Sequence, residues 1–528
     1  MLSLASARIV LGRLKAPASL RLSRPLVMTA KLIPSRTLTQ KANSDDELFN
    51  FSGRWVYNEG LRLAERRRVF DVAGLRRLAA ESVGRNPSDI VSLSKLGEGG
   101  FNRTFLVTMR DGFEMVARVP YGFPPVYFTL ASEVATMNLL RSSGVPVPQV
   151  YGYSPGSDNA ARTEYIFMEY VRGTSLNDIW STLELEEARH KVLSLSFSAG
   201  GSIYYPHDLD GLVARRKPIP LEDGRFCVGP DVNPIYWHGR RSQLDVDRGP
   251  YASGEEMLVA PARKELAYLK QFGRPLLPFH RMRRKGYRYQ EQSPSDHVAN
   301  LHNFLRMVPS LVRGPELGCF CIRHPDLREG NVIVERSTSS ESGSWRIVSL
   351  IDWERTTILP KFLQESVSQH LHVYSAHSSL NPPWGPNATP SLPKNFDQLS
   401  EREQARAEDV YRRRFVNHLY VHSGCPWMGE SLDMKVSLIR AVENWEKLTA
   451  RRRKADRLLQ LFQIGSHIQL GGKAVDGCYK KAMRYCQEAL KGELEDAETD
   501  EERANIRAHS KDRQVSFNRG VEIQRFRD

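Results

Sequence analysis

Three things this chain lacks bound it before any motif is weighed. No uninterrupted apolar run approaches the ~18 residues of a membrane-spanning helix, so a transmembrane segment is not expected. The six cysteines form no C-x-x-C pair and have no nearby His in zinc-finger spacing, which speaks for free thiols in a reducing compartment. No Asp or Glu occurs before Asp45, although residues 1–44 carry eight basic residues, from Arg8 to Lys41. That segment is also rich in Ser, Ala and Leu, the composition of a mitochondrial transit peptide, with a disordered basic tail as the plainer alternative. Without it the net charge falls from +14 to +6 (14 minus eight). The basicity is therefore mostly an address, and a nucleic-acid partner is not expected.

What is present is enough for two or three domains or lobes in 528 residues, with 41% hydrophobic and 26% charged residues as in ordinary globular proteins. Residues 45–84 read as a helical extension. From 85 to 173, Ile90, Leu93 and Leu96 suggest a strand, Thr104–Met109 a second, and Phe113–Val119 a third across the Asp111-Gly112 turn. Leu130, Val134, Met137 and Leu140 then share one helical face, with Gly144 just past its end as a left-handed cap. "VPVPQVYGY" and "EYIFMEYV" complete a five-stranded lobe with one helix after the third strand. Residues 174–490 read as mostly helical apart from the strands flanking "CIRHPDLREGNVIV". A charged helical or disordered tail follows from 491 to 528. No internal repeat is visible.

The stretch Cys321–Val334 carries the sharpest signal. Its spacing H-x-D-L-x-x-x-N puts Asp326 two residues after His324 and Asn331 five residues after Asp326. Phosphoryl transfer needs such a pair: a carboxylate that takes the acceptor's proton and an amide oxygen that reaches Mg²⁺. Further on, the apolar run Val348–Ile351 ends at Asp352, where a carboxylate can chelate a metal bridging nucleotide phosphates. Gly97, Gly99 and Gly100 lie between two strands, where missing side chains let N–H groups approach phosphates. Asn102 stands where a third glycine is usual, which weakens that pattern. Arg118 occupies the position of a phosphate-contacting Lys in "VARVP", and Glu133, fifteen residues on, could pair with it. Taken singly, each is as well read as an exposed strand Arg and a solvated helix Glu. His370, His372 and His377 read as ordinary histidines, and "HRMRRKGYR" as a solvated helix end.

Gly97–Gly100, Arg118, Glu133, "HPDLREGN" and "IDWE", in this order, resemble the aminoglycoside phosphotransferase/choline kinase-like family, and within it a fungal mitochondrial branch. The likeness also takes in "FCVGPDV" and "WHGRRSQLDVDRGPY". It implies an α+β, protein kinase-like bilobal fold, with a small five-stranded N-lobe and a large, mainly helical C-lobe. It further implies ATP and Mg²⁺ as cofactors and a small-molecule acceptor. On this resemblance Asp326 is the catalytic base and His324 braces its loop. Asn331 and Asp352 bind metal, and Gly97, Gly99, Gly100 and Arg118 hold phosphates, with Glu133 beside Arg118. Glu169 to Val171 form the hinge that meets adenine through its backbone. An insert at about 196–309, with Trp237, Asp245 and Asp247, is where acceptor specificity is expected. Arg240, Arg241 and Arg248 are candidates to neutralise its acids.

Two other readings compete with a small-molecule kinase. A nucleotide-binding pseudokinase that scaffolds or regulates mitochondrial partners is favoured by Arg118 and Asn102 and opposed by intact Asp326, Asn331 and Asp352. A true protein kinase ranks last, because no A-P-E segment follows Asp352.

Overall fold

The structure, a computed structural model, describes residues 46–55, 58–179, 195–212, 215–280, 283–284, 287–312, 319–336, 345–363, 390–393 and 395–449. The expected transit peptide, the tail from 491 and the three histidines at 370, 372 and 377 lie outside these residues. The fold is α+β, with helices beside antiparallel sheets. Among the described residues no helix is long and apolar enough to cross a membrane.

Alternation along short apolar runs produces five antiparallel strands: β1 (Ile90–Glu98), β2 (Asn102–Met109), β3 (Glu114–Pro120), β4 (Val150–Ser154) and β5 (Tyr165–Glu169). They form one sheet in the order β1-β2-β3-β5-β4. The two-residue period of β3 sends Met115, Ala117 and Val119 into a core with Phe70, Phe105 and Leu75 of helix α2 (Val72–Glu81), which follows helix α1 (Glu59–Arg66) along the chain. Val116 points the other way, toward helix α3 (Val126–Ser142), and by the same period so does Arg118. On α3 the 3.6-residue period stacks Leu130, Val134, Met137 and Leu140 against the sheet, and Glu133 lies in the same buried stripe. The helix stops as the sequence suggests. Gly144 has φ +78°, its N–H donates to the Arg141 carbonyl at 3.0 Å, and Val145 N–H donates to that of Leu140 at 3.0 Å.

The expectation of a mostly helical chain from residue 174 is met by the long helices from Gly254 onward but not by the described residues before them. Five short strands come first: β6 (Thr174–Ser175), β7 (Ser196–Phe197), β8 (Ser202–Tyr204), β9 (Ile219–Pro220) and β10 (Cys227–Gly229). Glycines and prolines such as Gly200, Gly201, Pro206, Pro218 and Pro230 interrupt any helical run there. Helices take over at α4 (Gly254–Phe272), α5 (Ser295–Leu311), α6 (Glu401–Gly424) and α7 (Leu432–Glu443), which share a core with Phe304, Phe415, Trp427 and Leu438. Between α5 and α6 lie β11 (Phe320–Arg323), β12 (Val332–Arg336), β13 (Trp345–Leu350) and β14 (Thr357–Pro360).

Charged groups cross-link these elements. Arg241 forks onto Glu265 at 2.6 and 2.8 Å and lies 3.6 Å from the centre of the Tyr268 ring. Lys264 reaches Glu265 at 2.8 Å and the Gly424 carbonyl at 2.9 Å, with all three charged side chains fully buried. Within the "HRMRRKGYR" segment, Arg283 is not the solvated side chain expected of a helix end. Arg283 binds Asp433 at 2.7 and 2.8 Å and also pairs with Glu430, joining the segment to α7.

Candidate active site

The two strands that flank the H-x-D-L-x-x-x-N loop do not pair with each other. β11 pairs with β14 and β7, whereas β12 pairs with β13 and β6. The loop therefore bridges two small sheets. His324 is buried, accepts the Asp326 N–H on Nδ1 at 3.2 Å and approaches the Ile351 carbonyl through Nε2 at 3.0 Å. With Nδ1 accepting, Nε2 carries the proton and donates. Burial holds the ring below its ordinary pKa and so neutral. Trp353, fully buried, meets the imidazole edge-on at 4.4 Å between centroids. His324 thus ties Asp326 to the segment that carries Asp352.

Asn331 closes the loop from the other side. Its Nδ2 donates to the Asp326 carbonyl at 2.8 Å and lies 3.4 Å from Asp326 Oδ2, while Ile351 N–H donates to the Asn331 carbonyl at 2.9 Å. Because Nδ2 faces Asp326, the amide oxygen of Asn331 is the atom left to meet a cation. Arg328 Nε contacts Asp326 Oδ2 at 2.9 Å. Both neighbours use Oδ2, which leaves Oδ1 of an Asp326 side chain that is 57% exposed.

Beyond β13 the backbone turns through Asp352 at φ +68°, a left-handed conformation that Asp tolerates better than most residues. Asp352 Oδ1 lies 3.5 Å from Arg118 Nη2. Arg118 also pairs with Glu133 through Nη1 and donates to Glu354 Oε2 through Nη2 at 3.0 Å. Neither Arg118 nor Glu133 is the solvated surface residue that each could have been; both are buried. Burial pushes the Glu133 carboxyl up against the pull of Arg118, and Glu354 and Asp352 add to the push. Arg355 Nε also lies 3.4 Å from Glu354 Oε1, so three carboxyl groups share two guanidiniums. Asp352, 43% exposed, is the accessible member, while Glu354 is 11% exposed and Glu133 3%.

Gly97 lies near the end of β1, paired with Thr104, and Gly99 and Gly100 lie between β1 and β2. A Cβ on Gly100 would meet nothing within 4 Å, and one on Gly99 only the Asn102 carbonyl at 3.6 Å. The protein itself does not need glycine there, so the open face suits a ligand's approach. Asn102 is more than a missing glycine: its Nδ2 donates to Glu354 Oε2 at 2.5 Å, tying the loop to the segment after β13. Glu169 ends β5, where its side chain accepts the Gln149 N–H at 3.0 Å and lies 3.7 Å from Arg141. Val171 follows two residues on.

The motifs assign no role to two residues of this site, Glu354 and Arg328. Glu354 lies within "IDWE" and Arg328 within the variable part of the loop, and only the fold brings them to Arg118 and Asp326. In the insert, Asp245 and Asp247 are neutralised, but not by the expected arginines. Arg215 forks onto Asp245 at 2.7 and 2.8 Å, and Arg216 binds Asp247 at 2.7 Å. Arg241 serves Glu265, and Arg248 lies 4.1 Å over the Trp237 ring.

The chain belongs to the phosphotransferase enzyme family, APH, whose model matches residues 92–195. That span covers most of the five-stranded sheet and all of α3. Over 375 residues the chain is 32% identical to a subtelomeric hrmA-associated cluster protein of Aspergillus fumigatus, covering 62% of this chain and 69% of that one. It is 27% identical over 403 residues to altered inheritance of mitochondria protein 9, mitochondrial, of Yarrowia lipolytica, covering 68% of this chain and 65% of that one. Among solved structures, a choline kinase from Cryptosporidium parvum is similar over 74% of this chain and 98% of that chain, with 11% identity and a TM-score of 0.32.

Proposed function

We propose that this chain is an ATP- and Mg²⁺-dependent phosphotransferase that acts on a small-molecule hydroxyl or amino acceptor in mitochondria. One observation carries the reading: His324 and Asn331 both hold the Asp326 loop against the segment that ends in Asp352. A base and a metal site must keep a set distance in phosphoryl transfer, and these bonds would supply it. Asp326 would take the acceptor proton on Oδ1, with His324 as its brace. The oxygen donors of Asn331 and Asp352 fit Mg²⁺, a hard cation. The bound ion would neutralise phosphate charge. Gly97, Gly99, Gly100 and Arg118 would hold the phosphates, Glu133 would orient Arg118, and the backbone from Glu169 to Val171 would meet the base. In this reading residues 85–173 and 174–490 are the two lobes.

Asp352→Ala is expected to abolish the Mg²⁺-dependent part of an ATP-induced rise in melting temperature, without removing the folded state. An unchanged Mg²⁺-dependent rise would sink the metal assignment. The mitochondrial part is supported by the names of the yeast relatives and by the acid-free segment 1–44. A reporter fused behind residues 45–528 should stay outside mitochondria, and the full-length fusion should enter; entry of the shorter fusion would defeat the assignment. The second reading, a nucleotide-binding scaffold, is favoured by the engagement of Arg118 with Glu133, Glu354 and Asp352. A guanidinium so occupied has less freedom to meet phosphates than a lysine in its place.

A further inference from the structure

The Gly-rich loop carries a carboxylate, Glu98, between Gly97 and Gly99. Beside a triphosphate a free carboxylate would repel the ligand, so what Glu98 does with its charge matters. Its Oε2 accepts the Ser52 N–H at 2.7 Å, and its Oε1 meets Arg103 Nε at 2.9 Å and Lys95 Nζ at 3.1 Å. Burial alone would raise its pKa, but the Ser52 and Lys95 donors outweigh that and hold it below the ordinary carboxylate value.

The same two basic residues also grip the backbone of the N-terminal extension. Arg103 Nη1 donates to the Leu48 carbonyl at 2.7 Å, and Lys95 Nζ to that of Asn50 at 2.6 Å. At the far end of the loop, Asn102 is tied to Glu354. Between these anchors the loop closes on itself through the Gly99 N–H and the Asn102 carbonyl, at 2.8 Å.

Building on the nucleotide-site reading above, we infer that Leu48–Ser52 is a strap that positions the Gly-rich loop, and that Glu98 is the residue through which it acts. A glycine-rich segment loses more conformational freedom on ordering than any other, and that cost falls on ligand binding unless the loop is already held. The strap holds its first turn in advance. It also removes the Glu98 charge from the ligand's side by satisfying it from the other. In this role the extension belongs to the nucleotide site, although it precedes the family's matching region, which begins at residue 92.

The test uses the full chain with Glu98→Gln, Ser52→Pro and the double substitution. Glu98→Gln keeps the size and removes the charge; Ser52→Pro removes the one donor the strap's backbone offers to Glu98. Amide hydrogen exchange across Gly97–Asn102 is read without ligand, Mg·ATP affinity by titration calorimetry, and melting temperature as the check on folding. Each single variant is expected to speed loop exchange and weaken Mg·ATP binding by about tenfold, the loss of one charge-assisted hydrogen bond. The double variant is expected to be no worse than Glu98→Gln, because the Ser52 N–H acts on the loop through Glu98. Wild-type exchange rates in a folded Glu98→Gln protein, or single effects that multiply in the double, would overturn the strap. If loop exchange responds as expected but wild type does not bind Mg·ATP, the strap stands and the nucleotide reading falls. Should Ser52→Pro melt early, Glu98→Gln alone decides.

Discussion

Asp326→Asn should lower phosphoryl-transfer activity by about 10²–10⁴-fold, the usual contribution of a general base, while the protein still folds and binds Mg·ATP. The amide keeps the size of the carboxylate, so Arg328 and the Asn331 side chain retain an oxygen at the Oδ2 position. What disappears is the capacity to accept a proton at Oδ1. Because the acceptor is unidentified, the measurement is growth complementation of a deletion strain at matched protein abundance. Failure to rescue is the expected result. A scaffold needs only shape, so full rescue by this variant would transfer the case to the pseudokinase reading, with Arg118 as its structural ground.

Glu265→Ala is expected to cost about 3–5 kcal/mol of stability, read as a fall in the urea midpoint, because it leaves Arg241 and Lys264 buried without their counter-charge. The Trp427 N–H, which donates to Glu265 Oε1 at 2.8 Å, would lose its acceptor as well. The pH dependence has a defined sign. Burial would push the Glu265 carboxyl up, but Arg241 and Lys264 outweigh it and hold it below the ordinary value. A carboxyl depressed on folding contributes stability at pH above its unfolded pKa and loses it on acidification. Wild type should therefore weaken as the pH falls below the usual carboxylate range, and the variant should lack that part of the slope. The exposed Arg215–Asp245 pair is the control: Arg215→Ala should leave the midpoint where it is, since both partners already sit in water.

Much of the N-terminal sheet and of the loop around Asp326 was legible because each rests on a local pattern. Alternation marks β1 to β3, the Asp111-Gly112 pair marks their hairpin, and the apolar stripe of α3 ends at a glycine that takes the left-handed cap. The opposition of Arg118 and Glu133 follows from two such periods, one along β3 and one along α3, that face each other across one core. The helical expectation fails among the described residues from Thr174 to Gly229. Gly and Pro residues cut a helix-like background of apolar and charged residues into short strands there.

Partner choice among charges was not legible at all. Asp245 and Asp247 have Arg240, Arg241 and Arg248 as sequence neighbours, yet they pair with Arg215 and Arg216, while Arg241 is carried inward to Glu265. Ion pairing depends on which backbones come within hydrogen-bond reach, and sequence distance says little about that once the chain has turned several times. Glu354 and the strap from Leu48 to Ser52 are cases of the same kind, since 252 residues separate Asn102 from Glu354 and 46 separate Ser52 from Glu98. By itself the sequence determined the chemistry on offer, through the spacing of His324, Asp326, Asn331 and Asp352, and the local elements that carry it. Only the tertiary structure decided which charges face that chemistry, because burial and pairing are properties of the assembled core and not of any stretch of chain.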